Sequence, residues 1–353
     1  MRNLADTVGR LTARRRAMEG MVHGTSARLT ELTAFGSNPG DLRGWTCIPS
    51  ALPAGAPLVV VLHGCTQTAV GYDIGSGWSD LAHEAGFAVL FAEQGRANNP
   101  NLCFNWFVPG DTRRGLGEAE SIRQMVAELV AIHGFDRRRI FITGLSAGGA
   151  MAASLLAAWP DMFAGGAIIA GVPHGSAVTM SEAFDRMRGS GLPDAGRSAT
   201  LVRAASPHAG PWPKLSVWHG SNDGTVDPAN GEALAAGWAA LHGLSAPPAS
   251  ERINGHVRRS WRNGQGEIVI EAYSVTGMGH GTPITTAGAE ACGTPGPFML
   301  EAGISSTRRI AAFWGIAPAV AAARPGDTPK PAQTAGGVAD VINMALRQAG
   351  LLR

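Results

Sequence analysis

The chain has 353 residues, of which 45% are hydrophobic and 16% are charged, and its formal net charge is +2. This composition allows a large core and excludes general disorder, and so small a net charge gives no reason to expect a nucleic-acid partner. No apolar run is long enough to predict a membrane span, and four cysteines without a C-x-x-C spacing do not predict a metal site.

Residues 1–27 form a basic segment that is predicted to contain a short surface helix, from Leu4 to Met18. They lack the apolar run of a secretory signal, which on sequence alone favours a cytoplasmic location. Residues 28–49 alternate in polarity around a Gly-Ser-Asn-Pro-Gly turn, and this pattern predicts an antiparallel hairpin at the edge of a sheet.

Alternating strands and helices are predicted for the next hundred or so residues. The apolar run Pro57–His63 predicts a buried parallel strand. A helix is predicted at Gly75–Ala85, a strand at Ala88–Ala92, and a second helix at Gly117–His133, where apolar residues recur at helical spacing. Residues 94–116 between them form a long irregular segment, and loops of this length are commonly functional.

A strand that turns directly into a helix is predicted for Arg139–Trp159, with a G-x-S-x-G pentapeptide from Gly144 to Gly148 at the junction. Such a turn forces a strained backbone on Ser146, and glycines two residues away on either side remove the Cβ atoms that would clash. The hydroxyl is then held at the positive end of the helix, where the amide of Ala147 points toward a developing oxyanion. Ser146 is therefore predicted to be a nucleophile, the alternative being a tight turn with an incidental serine.

The second half of the chain continues the alternation. Strands are predicted at Gly165–Gly171 and Leu215–His219, a helix at Asn230–His242, a hairpin from Arg252–Trp261 and Glu267–Val275, and a last helix at Ile304–Trp314. This order predicts an α/β fold with a mostly parallel central sheet and helices on both faces.

Composition divides the chain after the first 27 residues into three parts. A catalytic domain is predicted at residues 28–316, an Ala/Pro-rich linker at 317–337 and a C-terminal amphipathic helix at 338–353. The terminal helix is expected to pack on its own domain, and a dimer contact is the alternative.

A serine nucleophile needs a base and an acid that orients the base, and in this type of fold they follow the serine in the order acid, histidine. Two aspartates follow the strand that ends at His219. Asp223 completes an H-G-x-x-D pattern directly after that strand and is predicted to be the acid. Asp227 precedes Pro228 and is better suited to capping the next helix, but it stays the alternative acid.

His280 is predicted to be the base, because among ten histidines it is the one that follows the last strand in a glycine-rich loop. The loop after the Pro57–His63 strand is expected to supply a second oxyanion donor, the amide of Cys65. His63 and His219 are predicted to be structural.

The loop at 94–116 carries two further features. Its Cys103 lies close to Cys65 if the two loops follow adjacent strands, so a disulfide and a pair of buried free thiols are both open. The loop also offers an apolar wall of aromatic residues, including Phe104 and Trp106. Trp106 is predicted to face the cleft, with a core position as the alternative.

Several stretches together identify a family. They are LHGCTQ (62–67), NPNLCFNWF (99–107), GLSAGGAM (144–151), AGVPHGSA (170–177), WHGSNDGTV (218–226), GMGHGTPI (277–284) and GPFMLEAGISSTRRIAAFWG (296–315). The combination resembles the esterase family typified by poly(3-hydroxybutyrate) depolymerases, which also contains feruloyl and acetylxylan esterases. The resemblance spans about residues 28–316 and is specific to the family rather than to one substrate.

This resemblance implies an α/β-hydrolase fold and a catalytic triad of Ser146, Asp223 and His280. It implies that the amides of Cys65 and Ala147 form the oxyanion hole, and that no cofactor or metal is required. Many members of the family are extracellular, and those that degrade solid polymer carry a further linker and a polymer-binding module that this sequence does not display, so soluble esters are the favoured substrates.

The resemblance also implies residues that line the substrate site. Trp106 resembles a substrate-lining residue, and Phe104 and His174 are expected beside it. The stretch at 170–177 departs from the family pattern, because His174 and Ser176 stand where a tyrosine and a cysteine are expected.

The sequence thus predicts a serine carboxylic-ester hydrolase that acts through an acyl-enzyme on poly- or oligo(3-hydroxybutyrate)-type esters. One alternative is a feruloyl or acetyl esterase acting on plant polysaccharide esters. Another, of a different class, is a non-catalytic binding protein with a hydrolase fold.

Overall fold

The computed structural model describes residues 28–319. The predicted N-terminal helix, nearly all of the linker at 317–337 and the helix at 338–353 lie outside the described residues. In chain order the strands are β1 (Thr30–Leu32), β2 (Arg43–Cys47), β3 (Leu58–Leu62), β4 (Ala88–Glu93), β5 (Ile140–Leu145), β6 (Gly165–Ile169), β7 (Lys214–Gly220), β8 (Ala249–Ile253), β9 (His256–Arg262), β10 (Ile268–Val275), β11 (Thr282–Ile284) and β12 (Met299–Glu301). The helices are α1 (Ala69–Ser76), α2 (Trp78–Ala85), α3 (Pro109–Thr112), α4 (Gly117–His133), α5 (Ala147–Ala158), α6 (Met180–Met187), α7 (Ala195–Ala204), α8 (Ala229–Leu241) and α9 (Ser306–Phe313).

A ten-stranded sheet organises these elements in the order β1-β2-β4-β3-β5-β6-β7-β10-β9-β8. The six strands from β4 to β10 pair in parallel, and the strands outside them pair antiparallel. Successive residues of β3 point to opposite faces of the sheet. Val60 belongs to the hydrophobic cluster on one face, and Val59 and Val61 belong to the cluster on the other. The predicted mostly parallel sheet with two covered faces is therefore confirmed.

Parallel strands place their carboxyl ends at one edge of a sheet, and the loops that leave these ends carry the candidate catalytic residues. Helix α5 follows β5 after a single residue, Ser146. All of its 12 residues are buried, as expected for a helix that is apolar on every side.

Three predicted elements differ from the structure. The helix predicted at Gly75–Ala85 is two helices, α1 and α2, because the chain turns at Gly77, whose φ of 74° is left-handed. The strand predicted at Arg252–Trp261 is broken by a turn at Asn254 and Gly255, both with positive φ, so the hairpin is a three-stranded meander of β8, β9 and β10. The long loop at 94–116 contains the short helix α3.

Helices α6 and α7 were not predicted. Helix α6 starts with a capping box between Thr179 and Glu182, and α7 starts with Asp194 as its N-cap. The T-x-x-E spacing before an amphipathic stretch is the sequence signal for such a helix start. Among the described residues, no helix combines the length and apolar character needed to cross a membrane.

Candidate active site

Ser146 lies at the sharp turn between β5 and α5, with φ of 56° and ψ of −118°. The turn leaves no room for side chains on either side of it. A Cβ atom at Gly144 would overlap the backbone of Gly148, and one at Gly148 would overlap the carbonyl oxygens of Leu62 and His63. The pentapeptide spacing is thus required by close packing of the helix start against β3, and the strain at Ser146 is held in place by that packing.

His280 and Asp223 form a buried pair. The Nδ1 of His280 lies 2.7 Å from Oδ2 of Asp223, and the two residues are 8% and 6% exposed. Since a carboxylate only accepts, Nδ1 carries the proton, and Nε2 is left as the basic nitrogen. The other oxygen, Oδ1, accepts hydrogen bonds of 2.9 Å from the amides of Thr225 and Val226.

The charge of Asp223 is well stabilised. Burial raises the pKa of its carboxyl, but hydrogen bonds from His219 and His280 outweigh burial and hold that pKa well below its usual range. Asp223 is therefore ionised at neutral pH, as a group that orients an imidazole must be.

The loop that carries His280 is packed against the end of β7. A Cβ atom at Gly220 would overlap the carbonyl oxygens of Met278 and Gly279. The amide of Asn222 donates to the Met278 carbonyl at 3.0 Å, and the amide of Gly277 donates to the Ser221 hydroxyl at 2.8 Å. Because β7 and β10 are adjacent parallel strands, their two following loops meet and bring the acid and the histidine together.

Asp227, the alternative acid, has a different position. Its Oδ1 accepts a hydrogen bond of 2.8 Å from the amide of Ala229 at the start of α8. Geometry therefore pairs His280 with Asp223 and gives Asp227 the capping contact expected of it.

His63 and His219 make the contacts of structural histidines. The Nδ1 of His63 donates to the Gly64 carbonyl at 2.7 Å, and its Nε2 accepts from the amide of Gln94 at 3.1 Å. His219 directs Nε2 to the Val226 carbonyl at 2.8 Å, and the same nitrogen lies 3.4 Å from Oδ2 of Asp223. His219 thus belongs to the surroundings of the acid, a contact that its position in the sequence did not reveal.

Cys65 lies on the loop that follows β3 and is joined to Cys103 by a disulfide. Of the two states left open by the sequence, the bonded one is present. The amide of the next residue, Thr66, donates to the Asn101 carbonyl at 2.8 Å, so a disulfide and a hydrogen bond both tie this loop to the 94–116 loop. Within residues 28–319, the amide of Cys65 itself is paired with no hydrogen-bond acceptor, which leaves it available to a ligand.

Ser146, His280, Cys65 and Ala147 all line one cavity of about 130 Å³. Its walls are mostly apolar and come from several separate segments: Trp106, Phe107, Leu145, Val172, Met180, Ala183, Phe184, Met187, Val226 and Phe298. Trp106 is half-buried and lies edge-to-face with Phe107, with 5.5 Å between ring centroids. The structure places Trp106 at the cavity rather than wholly in the core.

Phe104 and His174, both predicted at the substrate site, lie elsewhere. Phe104 is fully buried, with its ring centroid 5.1 Å from that of His63. The Nδ1 of His174 lies 3.0 Å from the Ser154 hydroxyl, and burial lowers the pKa of His174 to about 4. Neither residue lines the cavity, so both predictions are corrected.

Helix α6 forms a wall of the cavity that was not predicted from the sequence. It contributes Met180, Ala183, Phe184 and Met187 to the cavity. These positions have the i, i+3, i+4, i+7 spacing of one helix face, so the sequence contained the signal for a helix. Within the described part of the chain, no group of three or more His, Cys, Asp or Glu side chains is placed to hold a metal ion.

Comparisons with known proteins relate the chain to esterases. A protein-family model described as "Esterase PHB depolymerase" matches residues 46–261. The chain is 44% identical over 291 residues to poly(3-hydroxyalkanoate) depolymerase C of Paucimonas lemoignei, which covers 82% of this chain and 70% of that protein. It is 29% identical over 265 residues to the probable acetylxylan esterase A of Aspergillus flavus, which covers 72% of this chain and 85% of that protein.

Among solved structures, the acetyl xylan esterase from Aspergillus awamori superposes with a TM-score of 0.68 at 23% identity, covering 82% of this chain and 99% of that one. At this level of identity the likeness bears on the fold alone. Together with the order of the strands, it confirms the predicted α/β-hydrolase fold.

Proposed function

Because the chain belongs to the PHB depolymerase family of esterases and is a carboxylic-ester hydrolase, we propose that it cleaves 3-hydroxybutyrate-type esters with Ser146, His280 and Asp223. The observation that carries the catalytic assignment is the buried contact of 2.7 Å between His280 and Asp223, with His280 lining the same cavity as the strained Ser146. The substrate assignment is supported by the depolymerase relative and by the apolar walls of the cavity.

The proposed reaction begins with attack of the Ser146 hydroxyl on the ester carbonyl. Nε2 of His280 takes the hydroxyl proton, and Asp223 stabilises the resulting imidazolium and keeps it oriented. The amides of Cys65 and Ala147 donate to the oxyanion of the tetrahedral intermediate. Nε2 then gives the proton to the leaving alcohol, and a water molecule activated by the same nitrogen hydrolyses the acyl-enzyme.

The shape of the site suits a short, moderately apolar acyl group. Trp106, Phe184 and Met187 supply apolar contacts near the nucleophile. A hydroxybutyrate unit carries one methyl branch and no charge inside the chain, so burying it against these walls leaves few polar groups without partners.

An acetyl esterase acting on polysaccharide esters is the second candidate. It is supported by the acetylxylan esterase relatives, which have lower identity than the depolymerase. A sugar ring would bring several hydroxyls to walls that are mostly apolar, so the lining favours the first candidate. The polar side chains of this lining besides Ser146 and His280 are Thr66, Gln67, Asn99, Asn101 and Thr225. Geometry and family together favour an enzyme over a non-catalytic binding protein.

The test compares kcat/KM of the purified chain on three matched sets of substrates. These are 3-hydroxybutyrate dimers and trimers, acetylated xylo-oligosaccharides, and methyl ferulate. We expect the hydroxybutyrate oligomers to be turned over at least tenfold more efficiently than the others, with Ser146→Ala as the blank for each. A higher value for acetylated xylo-oligosaccharides or methyl ferulate would overturn the substrate assignment. A film of amorphous polymer forms a separate arm that asks whether polymer as well as oligomer is cleaved.

A further inference from the structure

Glu118 is a buried acidic residue that the proposed mechanism does not use. It is the second residue of α4 and is 0% exposed. A buried carboxyl group is costly unless hydrogen bonds stabilise it.

The carboxyl group accepts four hydrogen bonds from one loop. Oε1 accepts from the side-chain amides of Gln94 at 2.6 Å, Asn98 at 3.1 Å and Asn105 at 2.7 Å. Oε2 accepts from the backbone amide of Asn105 at 2.9 Å. All four partners are N–H donors, so the site matches a group that only accepts, which is a carboxylate.

The contacts extend from Asn105 along the loop. Oδ1 of Asn105 accepts from the side-chain amide of Asn99 at 2.9 Å. Oδ1 of Asn99 accepts in turn from the backbone amides of Asn101 at 3.0 Å and Cys103 at 3.3 Å. We call Glu118, Gln94, Asn98, Asn99 and Asn105 the asparagine network.

Two links then join the asparagine network to the candidate oxyanion loop. Cys103 is bonded to Cys65 through the disulfide, and the Asn101 carbonyl accepts from the amide of Thr66 at 2.8 Å. Trp106 directly follows Asn105, so the cavity wall is fixed by the same carboxyl group.

Burial and hydrogen bonding act on the Glu118 carboxyl in opposite directions. Burial raises its pKa to about 8, although hydrogen bonds from Asn105 and Gln94 act to lower it. Because all four contacts to its two oxygens come from N–H donors, the geometry favours the carboxylate against the effect of burial.

We propose that Glu118 is a positioning residue that, through the asparagine network and the Cys65–Cys103 disulfide, sets the position of the oxyanion-hole amide of Cys65. This inference rests on the proposed function of Ser146 and Cys65. Removing one acceptor of Glu118 disturbs the loop that holds Cys65, and an oxyanion donor that is displaced stabilises the transition state less.

Glu118→Gln is the test variant. Glutamine keeps the size of the side chain and one acceptor oxygen. Its NH₂ group replaces the second oxygen and so points a donor at an N–H donor of the loop, where the carboxylate accepted a hydrogen bond. The matched control is Glu120→Gln in the same helix, because the carboxylate of Glu120 accepts hydrogen bonds from two side chains of its own helix, Arg123 at 2.7 Å and Gln124 at 3.1 Å. Asn98→Ala is a milder variant that keeps the test usable if Glu118→Gln does not fold. It removes the 3.1 Å contact to Oε1 of Glu118, together with the hydrogen bonds of the Asn98 amide to the Gly40 carbonyl and to Oε1 of Gln94, and leaves the Glu118 carboxyl in place.

Three quantities are measured on each variant: kcat and KM for 4-nitrophenyl acetate, the inhibition constant of 1-butaneboronic acid, and the melting temperature. The boronic acid forms a tetrahedral adduct with a nucleophilic serine and places an oxygen in the oxyanion hole, so it reports transition-state binding. For Glu118→Gln we expect kcat to fall by about 10- to 100-fold. KM should change by less than about threefold, and boronic acid should bind more weakly by the same factor as kcat. Asn98→Ala should shift kcat and inhibitor binding together by a smaller factor, and Glu120→Gln should match the wild type.

A purely structural Glu118 would give a different pattern. The melting temperature would fall while kcat and boronic acid affinity, measured well below melting, stayed at the wild-type values, and this result would overturn the inference. Failure of the proposed function would look different again, because then the wild type itself would lack esterase activity or Ser146→Ala would retain it.

Discussion

The residues on the two sides of the cavity are held in position in different ways. On one side, Asp223 and His280 sit on short loops after adjacent parallel strands, and backbone contacts at Gly220 lock those loops. On the other side, Cys65 depends on the 94–116 loop, which is fixed by a disulfide and a buried carboxyl group. Residues that directly follow the strands are positioned by the sheet itself. A residue held by a long loop needs further contacts, here a disulfide and hydrogen bonds, to fix its position.

Both sides converge on Ser146, so its removal should have the largest effect. Ser146→Ala is expected to lower kcat on any ester by about 10⁶-fold while leaving the fold intact, because the nucleophile itself is lost. Steady-state kinetics with a melting curve on the same sample provide the check. Near-normal turnover by the folded variant would contradict the serine assignment and with it the comparison of the two sides.

On the acid–base side, Asp223→Asn is expected to lower kcat by about 10⁴-fold, because an amide at this position favours the wrong tautomer of His280. Asp227→Asn is the matched control, four residues further along the same loop. It loses only a capping interaction and should lower the free energy of unfolding by about 1 kcal/mol with little change in kcat. If the two variants exchange these outcomes, Asp227 is the acid.

On the oxyanion side, the double variant Cys65→Ser with Cys103→Ser should have an intermediate effect. We expect kcat to fall by about 10- to 100-fold as the Cys65 amide loses its anchor. The free energy of unfolding should fall by about 2–4 kcal/mol, since the bond closes a loop of 38 residues. Activity is measured with and without a reducing agent, which should slow the wild type and leave the double variant unchanged. A double variant as active as the wild type would show that the loop holds its position without the bond.

Trp106→Ala should have the smallest effect of the four. Loss of an apolar contact is expected to raise KM for hydroxybutyrate oligomers by about fivefold, with less change for a short aryl acetate, because about 1 kcal/mol of binding corresponds to that factor. The melting temperature of the same variant distinguishes a substrate-contacting role of Trp106 from a role in the core. Equal damage to both substrates with a large drop in melting temperature would place Trp106 in the core.

The acid–base side was accessible to sequence reasoning because strand order places its residues. A buried apolar strand, a following glycine and an aspartate or histidine just after it are local signals, and the sheet converts them into proximity. The pairing of His280 with Asp223 could be predicted from this alone. His219 could be recognised as structural, but its contact with Asp223 depends on a side-chain direction that strand order does not give.

The oxyanion side was harder to predict from the sequence, because the hydrophobic residues of the 94–116 loop follow no regular spacing. In the stretch from Phe104 to Phe107, nothing in the sequence says which aromatic residue turns inward, and the one buried fully is Phe104. Glu118 looks like an exposed acid at a helix N-terminus, a common position for such a residue. It is buried because the 94–116 loop and the chain at Gly40 both lie against it. Helix α6 has the spacing of a core-facing helix, yet its apolar face borders the cavity, a distinction that requires the three-dimensional arrangement.

The complete burial of α5 has a consequence for how the protein loses activity on heating. Amide hydrogens in a helix covered on every side exchange with solvent only when the whole domain opens, whereas those of a surface loop exchange through small local openings. The serine at the start of α5 therefore keeps its place for as long as the domain does. If the loop at Cys65 opens before the domain does, we expect the first loss of activity on warming to be reversed on cooling, which activity assays after heating and cooling would show.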